Sequence, residues 1–258
     1  MNDKNIIRLD AVDSTNNYAR GLVARKETEE GTVVLALHQT RGRGIGLNSW
    51  ESEKGKNLTF SVLLNPVFLA PSNQFFLSMV VSLGVFGFVA SEVKDVKIKW
   101  PNDIYVSDRK IGGILIENTI MGDRITSAVA GVGLNINQEV FLSDAPNPVS
   151  LKMLTQHEYD LDVCLDQVRK NILRWYGILK AGDVKAISDA YISGLFRYKE
   201  WALYKKEDKT FKGKIIGIDR SGRLILKTDD GKTGLFGFKE IEYLITRREG
   251  MQGYPRGD

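Results

Sequence analysis

Two lysines that a short hairpin would bring together are the residues in this sequence best suited to chemistry. Lys99 lies in the strand-like run 96–100, and Lys110 follows Asp108-Arg109, where the chain must reverse. The Gly112-Gly113 pair would let a ligand approach bare backbone. Two ammonium groups beside exposed N–H groups favour a ligand that carries phosphate. For this segment alone, a solvated charged hairpin is the alternative.

An upstream loop rich in glycine and arginine favours the same kind of ligand. Arg41 and Arg43 alternate with glycines in the segment 39–50, which suits guanidinium groups that close over a carboxylate or phosphate. Trp50, at the end of the loop, offers a flat face for a purine. The segment has neither the Gly-Lys-Ser/Thr ending of a P-loop nor a dinucleotide fingerprint. We therefore expect an anion site of a different kind.

Composition excludes several classes of protein. The 258 residues are 43% hydrophobic and 26% charged, as in a globular protein with one sizeable domain and a small one. A single cysteine, Cys164, excludes an intramolecular disulfide, and two histidines give no cluster with metal-ligand spacing. The apolar stretch 75–90 is shorter than the ~20 residues of a membrane-spanning helix and predicts a buried helix. With no signal peptide at the N-terminus, these features predict a cytoplasmic protein without a membrane partner.

The positive charge of the chain is too dispersed to favour nucleic acid. The net charge is +4, and residues 197–258 carry 15 Lys and Arg against 10 Asp and Glu. These basic residues are scattered through turns and are not interleaved with the stacking aromatic residues of single-strand binders. We expect no binding to DNA, although a non-enzymatic nucleic-acid module remains an alternative of a different class.

The pattern of elements predicts an α+β fold, with a mixed sheet flanked by helices in residues 1–196 and a small β-barrel in residues 197–258. Predicted helices cover 15–25, 72–93, 161–180 and 184–195, and the N-cap of the first is Ser14 or Thr15. Predicted strands of the first region cover 6–9, 32–37, 58–64, 96–100, 104–106, 111–118 and 125–135. In the second region they cover 201–204, 210–219, 224–228, 232–238 and 242–245.

Five ordered blocks of sequence resemble the biotin–protein ligases over essentially the whole chain. The blocks are Asp13-Ser14-Thr15-Asn16, the segment from Gln39 to Trp50, Gly55-Lys56-Asn57-Leu58, the segment from Lys99 to Leu115, and Gly131 to Asn137. Lys-Trp-Pro-Asn-Asp followed by Arg-Lys-x-x-Gly-Ile-Leu is highly specific to this family. The resemblance implies the catalytic fold that biotin and lipoate ligases share with class II synthetases, followed by an SH3-like C-terminal domain.

The sequence departs from the family pattern at the loop and at the N-terminus. Many members carry Gly-Arg-Gly-Arg in the loop, but here the second arginine position is Ile45. Either one anion contact is missing, or Arg41 replaces it from the other side of the loop. The chain begins almost at the strand before Ser14, so we expect a ligase of the single-function type, without an N-terminal DNA-binding domain.

The resemblance implies that biotin is activated by ATP as biotinyl-AMP and then transferred to a lysine of a biotin carboxyl carrier protein or biotinyl domain. Arg43, Lys99 and Lys110 are candidates to stabilise the developing phosphorane charge, with Mg²⁺ on the phosphates. Asp103 would orient or deprotonate the incoming lysine, although a plain turn residue is the alternative. The implied biotin contacts are Ser14, Thr15, Asn16, Gln39, Arg43, Gly44, Ile45, Lys110 and Gly113. The implied nucleotide contacts are Trp50, Asn57, Gly133 and Asn135.

Three questions remain open at the level of sequence. An ordinary helix cap is the alternative role of Ser14 and Thr15, and the two roles are compatible. A lipoate–protein ligase is the nearest alternative enzyme, and the arginine-glycine loop together with residues 99–103 argues against it. The sequence assigns neither metal ligands nor an oligomeric state, and a homodimer is left open.

Overall fold

The computed structural model describes residues 5–46, 48–143 and 147–245, and these residues build two β-sheets with helices around the first. The first sheet contains β1 (Ile6–Leu9), β2 (Val33–Ala36), β3 (Leu58–Leu64), β4 (Val96–Lys99), β5 (Asp103–Val106), β6 (Arg109–Met121) and β7 (Arg124–Leu134). The helices are α1 (Thr15–Arg25), α2 (Phe75–Glu92), α3 (Leu151–Thr155), α4 (Leu161–Lys180) and α5 (Val184–Ser193). The second, C-terminal sheet contains β8 (Trp201–Lys206), β9 (Lys209–Ile218), β10 (Leu224–Thr228), β11 (Thr233–Phe236) and β12 (Glu242–Tyr243).

The first sheet is mixed and is covered on both faces. Its strand order is β1-β2-β3-β7-β6-β5-β4, in which β1 and β2 are parallel and the other neighbours are antiparallel. Side chains alternate between the faces of a strand, so β3 places Val62 on the main core and Leu63 under α1. Because both faces are buried, β2 and β3 are apolar almost throughout instead of alternating with polar residues.

The long apolar helix α2 belongs to the main core. The segment 71–92 is long and apolar enough to cross a membrane, but ten of the 18 residues of α2 are buried within the fold. Gly84 lets α2 approach α4 closely, because a Cβ there would lie 2.5 Å from Ile172 Cγ1. The buried helix expected from the sequence is therefore present, and it packs between the sheet and α4.

A turn of the C-terminal sheet is anchored in the first region of the protein. The indole Nε1 of Trp100 donates a buried hydrogen bond of 2.8 Å to the carbonyl of Gly222, between β9 and β10. Asp219 accepts hydrogen bonds from the backbone N–H groups of Ser221 and Arg223 and so fixes this turn. Since Trp100 directly follows Lys99, the contact connects the C-terminal sheet to the predicted site.

The sequence-based elements are confirmed with shifts of a few residues at their ends, whereas α3 was not predicted. The five predicted C-terminal strands form one antiparallel sheet in the order β11-β10-β9-β8-β12. The small helix α3 has only five residues, too few for a helical period to be recognised. Residues 246–258, the end of the predicted second region, lie outside the described residues.

Two glycines in successive turns provide a matched test of the anchored turn. Gly222 and Gly231 have φ angles of 88° and 85°, but a Cβ at Gly222 would lie 2.3 Å from the Phe75 ring, whereas a Cβ at Gly231 meets no atom within 4 Å. We expect Gly231→Ala to cost about 1 kcal/mol of unfolding free energy from backbone strain alone. Gly222→Ala should cost about 2–4 kcal/mol, because the clash adds to that strain. Denaturant unfolding of both variants measures the difference, and equal losses would contradict the anchored turn.

Candidate functional site

A large cavity lies on the sheet face that also carries α1, beyond the N-terminus of that helix. Its volume is about 860 Å³, and the C-terminal sheet and the loop before Trp50 form its other walls. Of the residues predicted from the sequence, the following line it: Ser14, Thr15, Asn16, Gln39, Arg43, Gly44, Ile45, Trp50, Lys99, Asp103, Lys110, Gly113 and Gly133. Segments far apart in sequence therefore meet at one place.

The strand register places four of these residues in one row across the sheet. Lys99 is paired with Asp103, Asp103 with Gly113, and Gly113 with Gly133. Paired residues in an antiparallel sheet direct their side chains to the same face. The row therefore runs from a cation through a carboxylate to a floor of bare backbone.

The end of the cavity next to α1 is polar and uncharged. Ser14 is the N-cap of α1, yet its side chain makes no capping hydrogen bond and instead lines the cavity. The backbone N–H and the hydroxyl of Thr15 both lie within hydrogen-bond distance of Gln39 Oε1, at 2.8 and 3.1 Å. The amide of Asn16 donates to the carbonyl of Leu115 at 3.1 Å. These hydroxyl and amide groups are fixed by one another and can recognise a neutral polar ligand.

The other end of the cavity contains the two lysines, in different electrostatic states. Lys110 Nζ lies 2.7 Å from Asp103 Oδ1, an ion pair that is mostly shielded from solvent. Lys99 makes no ion pair within 4 Å among the described residues, and its Nζ donates to the hydroxyl of Tyr105 at 3.3 Å. Burial lowers the pKa of Lys99 below its ordinary value of 10.5; the carboxylate of Asp103 opposes this shift, and the ammonium of Lys110 adds to it. Lys99 is thus a half-buried cation that an anionic ligand would stabilise.

The arginine-glycine loop forms a small hairpin over the cavity. The backbone N–H of Trp50 donates to the carbonyl of Gly42 at 2.9 Å. The backbones of Arg43 and Ser49 form an antiparallel β-bridge. The guanidinium of Arg43 pairs with both carboxylate oxygens of Glu117, each at 3.2 Å. Ile45 lines the cavity, whereas Arg41 is exposed and is not among the described lining residues. In this arrangement Arg41 does not take the place of the arginine that many biotin–protein ligases carry at the position of Ile45.

The indole of Trp50 lies on the glycine floor. A Cβ at Gly133 would lie 2.3 Å from Trp50 Cε2, and one at Gly113 would lie 3.3 Å from Cζ3. Lys110 Nζ lies 5.9 Å from the centroid of the same indole ring. The indole Nε1 is buried and has no hydrogen-bond partner among the described residues. Trp50 therefore presents a flat ring at the junction of the floor and Lys110.

Two residues predicted to contact a nucleotide lie outside the described cavity lining. Asn57 is buried; its Nδ2 donates to Gln138 Oε1 at 2.5 Å and its Oδ1 accepts from the backbone of Ile136 at 2.9 Å. Asn135 is also buried and donates to the carbonyl of Val149 at 3.0 Å. Both side chains hold the chain that follows β7. These internal hydrogen bonds occupy the Asn57 side chain and the Asn135 amide group, whereas Asn135 Oδ1 has no partner among the described residues, so the nucleotide contact of both residues stays a prediction.

The C-terminal sheet supplies cavity residues that sequence reasoning missed. Its loop and β12 contribute Phe238, Lys239 and Tyr243 to the lining. Lys99 Nζ lies 5.2 Å from the ring centroid of Tyr243. Lys239 packs against Gly46, where a Cβ would lie 2.4 Å from its Nζ. No local motif marks these residues, because only the folded chain brings them to the site.

This arrangement suits a reaction that joins a phosphate to the carboxylate of a ligand whose other end is a neutral polar group. The uncharged end can bind a polar head group, and the cationic end can offset the charge of two anions brought together. No cluster of three or more His, Cys, Asp or Glu side chains that could hold a metal occurs among the described residues.

Comparison with known proteins decides the family. Residues 9–135 match the model of the biotin/lipoate A/B protein ligase family, and residues 203–244 match the biotin protein ligase C terminal domain. A bifunctional ligase/repressor BirA of Bacillus spizizenii is 30% identical over 237 residues, which cover 88% of this chain and 71% of that relative. The chain belongs to the biotin protein ligase family.

Two further relatives resemble the protein over most of its length. A biotin–[acetyl-CoA-carboxylase] ligase of Paracoccus denitrificans is 28% identical over 226 residues, 85% of this chain and 93% of that relative. The structure of a biotin protein ligase from Aquifex aeolicus in complex with biotin and ATP is similar with a TM-score of 0.78 and 27% identity. That similarity covers 94% of this chain and all of the Aquifex chain, and so extends over both sheets.

The burial of Lys99 between two charged neighbours predicts how it titrates. We expect Lys99 to titrate below 10.5, because burial disfavours its charged form. Asp103→Asn should lower the pKa of Lys99 further, since it removes a stabilising negative charge, and Lys110→Ala should raise it, since it removes a neighbouring positive charge. NMR titration of protein with ¹³C-labelled lysine measures these shifts. A Lys99 that titrates near 10.5 in all three proteins would contradict this electrostatic description.

Proposed function

We propose that the protein is an ATP-dependent biotin–[acetyl-CoA-carboxylase] ligase. In the first step, an oxygen of the biotin carboxylate attacks the α-phosphorus of ATP, and pyrophosphate leaves. In the second step, the amine of an acceptor lysine attacks the acyl carbon of biotinyl-AMP, and AMP leaves. The acceptor is a biotin carboxyl carrier protein or the biotinyl domain of a carboxylase, and the reaction takes place in the cytoplasm.

The observation that carries this proposal is the continuity of the two ends of the cavity. The ureido ring of biotin is neutral, with two N–H donors and one carbonyl acceptor, which matches the hydroxyl and amide groups of Ser14, Thr15, Asn16 and Gln39. The biotin carboxylate would then extend toward Lys110, at the start of the cationic end. A lipoyl ring has no such donors and acceptors, so these polar groups would lose their hydrogen-bond partners. The match of residues 203–244 to a biotin protein ligase domain also favours biotin over lipoate.

The first step needs positive charge where two anions meet. Lys110, Lys99 and Arg43 line the same cavity and would stabilise the charge on the developing phosphorane. Trp50 would provide a face for adenine. Mg²⁺ would enter as part of the MgATP substrate.

The second step needs an amine and the exclusion of water. Asp103 lines the cavity and is ion-paired with Lys110, so it is available as a carboxylate to orient the acceptor ammonium and accept its proton. The arginine-glycine loop and the C-terminal sheet would close over the adenylate and keep it from hydrolysis. Mixed anhydrides of this kind are lost to water unless they are enclosed.

Mass spectrometry of an acceptor domain tests the proposed function. Incubation with the protein, biotin and MgATP should add one biotinyl group to a single lysine, and omission of ATP should abolish the addition. Lipoate in place of biotin should give no product. Addition of a lipoyl group, or no modification with biotin, would contradict the proposal.

Because residue 45 is isoleucine, we expect the protein to release biotinyl-AMP faster than a ligase with arginine there. An arginine at this position would face the cavity and could add one charge-assisted hydrogen bond to the ligand. We expect Ile45→Arg to slow release of biotinyl-AMP by roughly tenfold or more, the effect of one such bond. Stopped-flow measurement of release tests this, with Arg41→Ala as the control that should leave the rate unchanged. If release is not slower in Ile45→Arg, or if it is faster in Arg41→Ala, then the missing contact does not lie at residue 45.

A further inference from the structure

Glu117 is a carboxylate beside the cavity that no sequence motif singled out. It lies on β6, on the same face as Leu115 and Gly113, and its side chain is 21% exposed. Its Oε2 accepts from Asn16 Nδ2 at 2.9 Å and from Arg43 Nη1 at 3.2 Å. Its Oε1 lies 3.2 Å from Arg43 Nη2 and 3.4 Å from Arg20 Nη1. Both oxygens are therefore engaged twice.

These contacts join three separate segments next to α1, beside the hydroxyl and amide groups of the cavity. Asn16 and Arg20 belong to α1, Arg43 belongs to the arginine-glycine loop, and Glu117 itself belongs to the central sheet. The Arg43 side chain makes one further hydrogen bond, to Asn17 at 2.8 Å, and the loop backbone is held separately by the bond from the Arg41 N–H to the carbonyl of Asp13 at 2.9 Å. Glu117 is thus the side chain that ties the position of the Arg43 guanidinium to that of Asn16.

The two cavity residues that Glu117 holds differ in how firmly they are fixed. Asn16 is buried, and it also bonds the carbonyl of Leu115 and the hydroxyl of Ser61. Arg43 is 40% exposed and depends on Glu117 and Asn17 for its orientation. A long side chain without these partners would populate many rotamers, and ordering it on a ligand would cost affinity. Loss of Glu117 would therefore lower ligand affinity mainly because Arg43 would lose its fixed orientation.

We propose that Glu117 is a positioning residue for the reaction: it holds the Arg43 guanidinium at the cavity wall and keeps the arginine-glycine loop closed over bound biotin and biotinyl-AMP. This inference rests on the proposed function and adds a residue to it. Glu117 does not contact the reacting atoms and acts through Arg43. Its bidentate geometry leaves the remaining donors of the guanidinium for the ligand.

The test compares Glu117→Gln with Arg20→Gln. The first variant keeps the shape of the side chain and removes its charge. The second variant removes Arg20, the other cation that pairs with Glu117. The Arg20 side chain is 59% exposed and is not among the described lining residues of the cavity. Glu117→Gln should raise the KM for biotin and speed release of biotinyl-AMP by about tenfold, the effect of losing one charge-assisted hydrogen bond. Transfer from saturating, preformed biotinyl-AMP should keep its rate, and Arg20→Gln should behave like the wild type.

A double-mutant cycle separates positioning from a merely structural role. If Glu117 acts through Arg43, then Glu117→Gln in an Arg43→Gln background should change the release rate by less than twofold. Additive effects would overturn the proposal, as would unchanged release in Glu117→Gln. Tighter retention in Glu117→Gln would also overturn it, because Glu117 would then compete with the ligand for Arg43. A wild-type protein that forms no adenylate would instead refute the proposed function.

Discussion

The antiparallel register of strands β4 to β7 is the constraint on which the rest of the site depends. It places Lys99, Asp103, Gly113 and Gly133 in one row on one face of the sheet. Because side chains alternate, a slip of one residue in β5 would turn Asp103 to the opposite face and separate it from Lys110. The buried neighbours of these residues, such as Ile104, make that slip costly, since their apolar side chains would leave the core. The packing of the core thus fixes the arrangement of the charges.

The remaining walls of the cavity are positioned against this row. On the side of α1, a Cβ at Gly131 would meet Asn16 Oδ1 at 2.3 Å, so the helix can approach the sheet only because β7 carries glycine there. On the other side, the C-terminal sheet is held by the bond from Trp100 to Gly222 and reaches Lys99 through Tyr243. Activation of a carboxylate and its protection from water are thereby served by different elements that meet at one sheet face.

The sequence predicted most of the elements, and most of the predicted site residues line the cavity, for identifiable reasons. Periodicity and turn residues are local signals, and the segment 99–103 with Lys110 carries its chemistry in consecutive residues. Glu117, by contrast, has no local signal, because its contacts with Arg43 and Asn16 span 74 and 101 residues of sequence. Tyr243 was missed for the same reason. The predicted nucleotide contact of Asn57 is not decided by its residue type, which does not distinguish a ligand contact from a buried amide that holds the backbone, as Asn57 does at Ile136.

The central claim is that one cavity has a neutral end for biotin and a separate end for the nucleotide, divided along the glycine floor of β7. Calorimetric titration of biotin into Gly131→Ala and Gly133→Ala tests it most directly, with a melting curve to establish that each variant is folded. A methyl group at residue 131 would displace Asn16, and one at residue 133 would displace Trp50, since each Cβ would lie 2.3 Å from that side chain. We predict that Gly131→Ala weakens biotin binding by about tenfold or more. Gly133→Ala should bind biotin as the wild type does and lose formation of biotinyl-AMP from ATP. Equal loss of biotin affinity in both variants would contradict the division of the cavity.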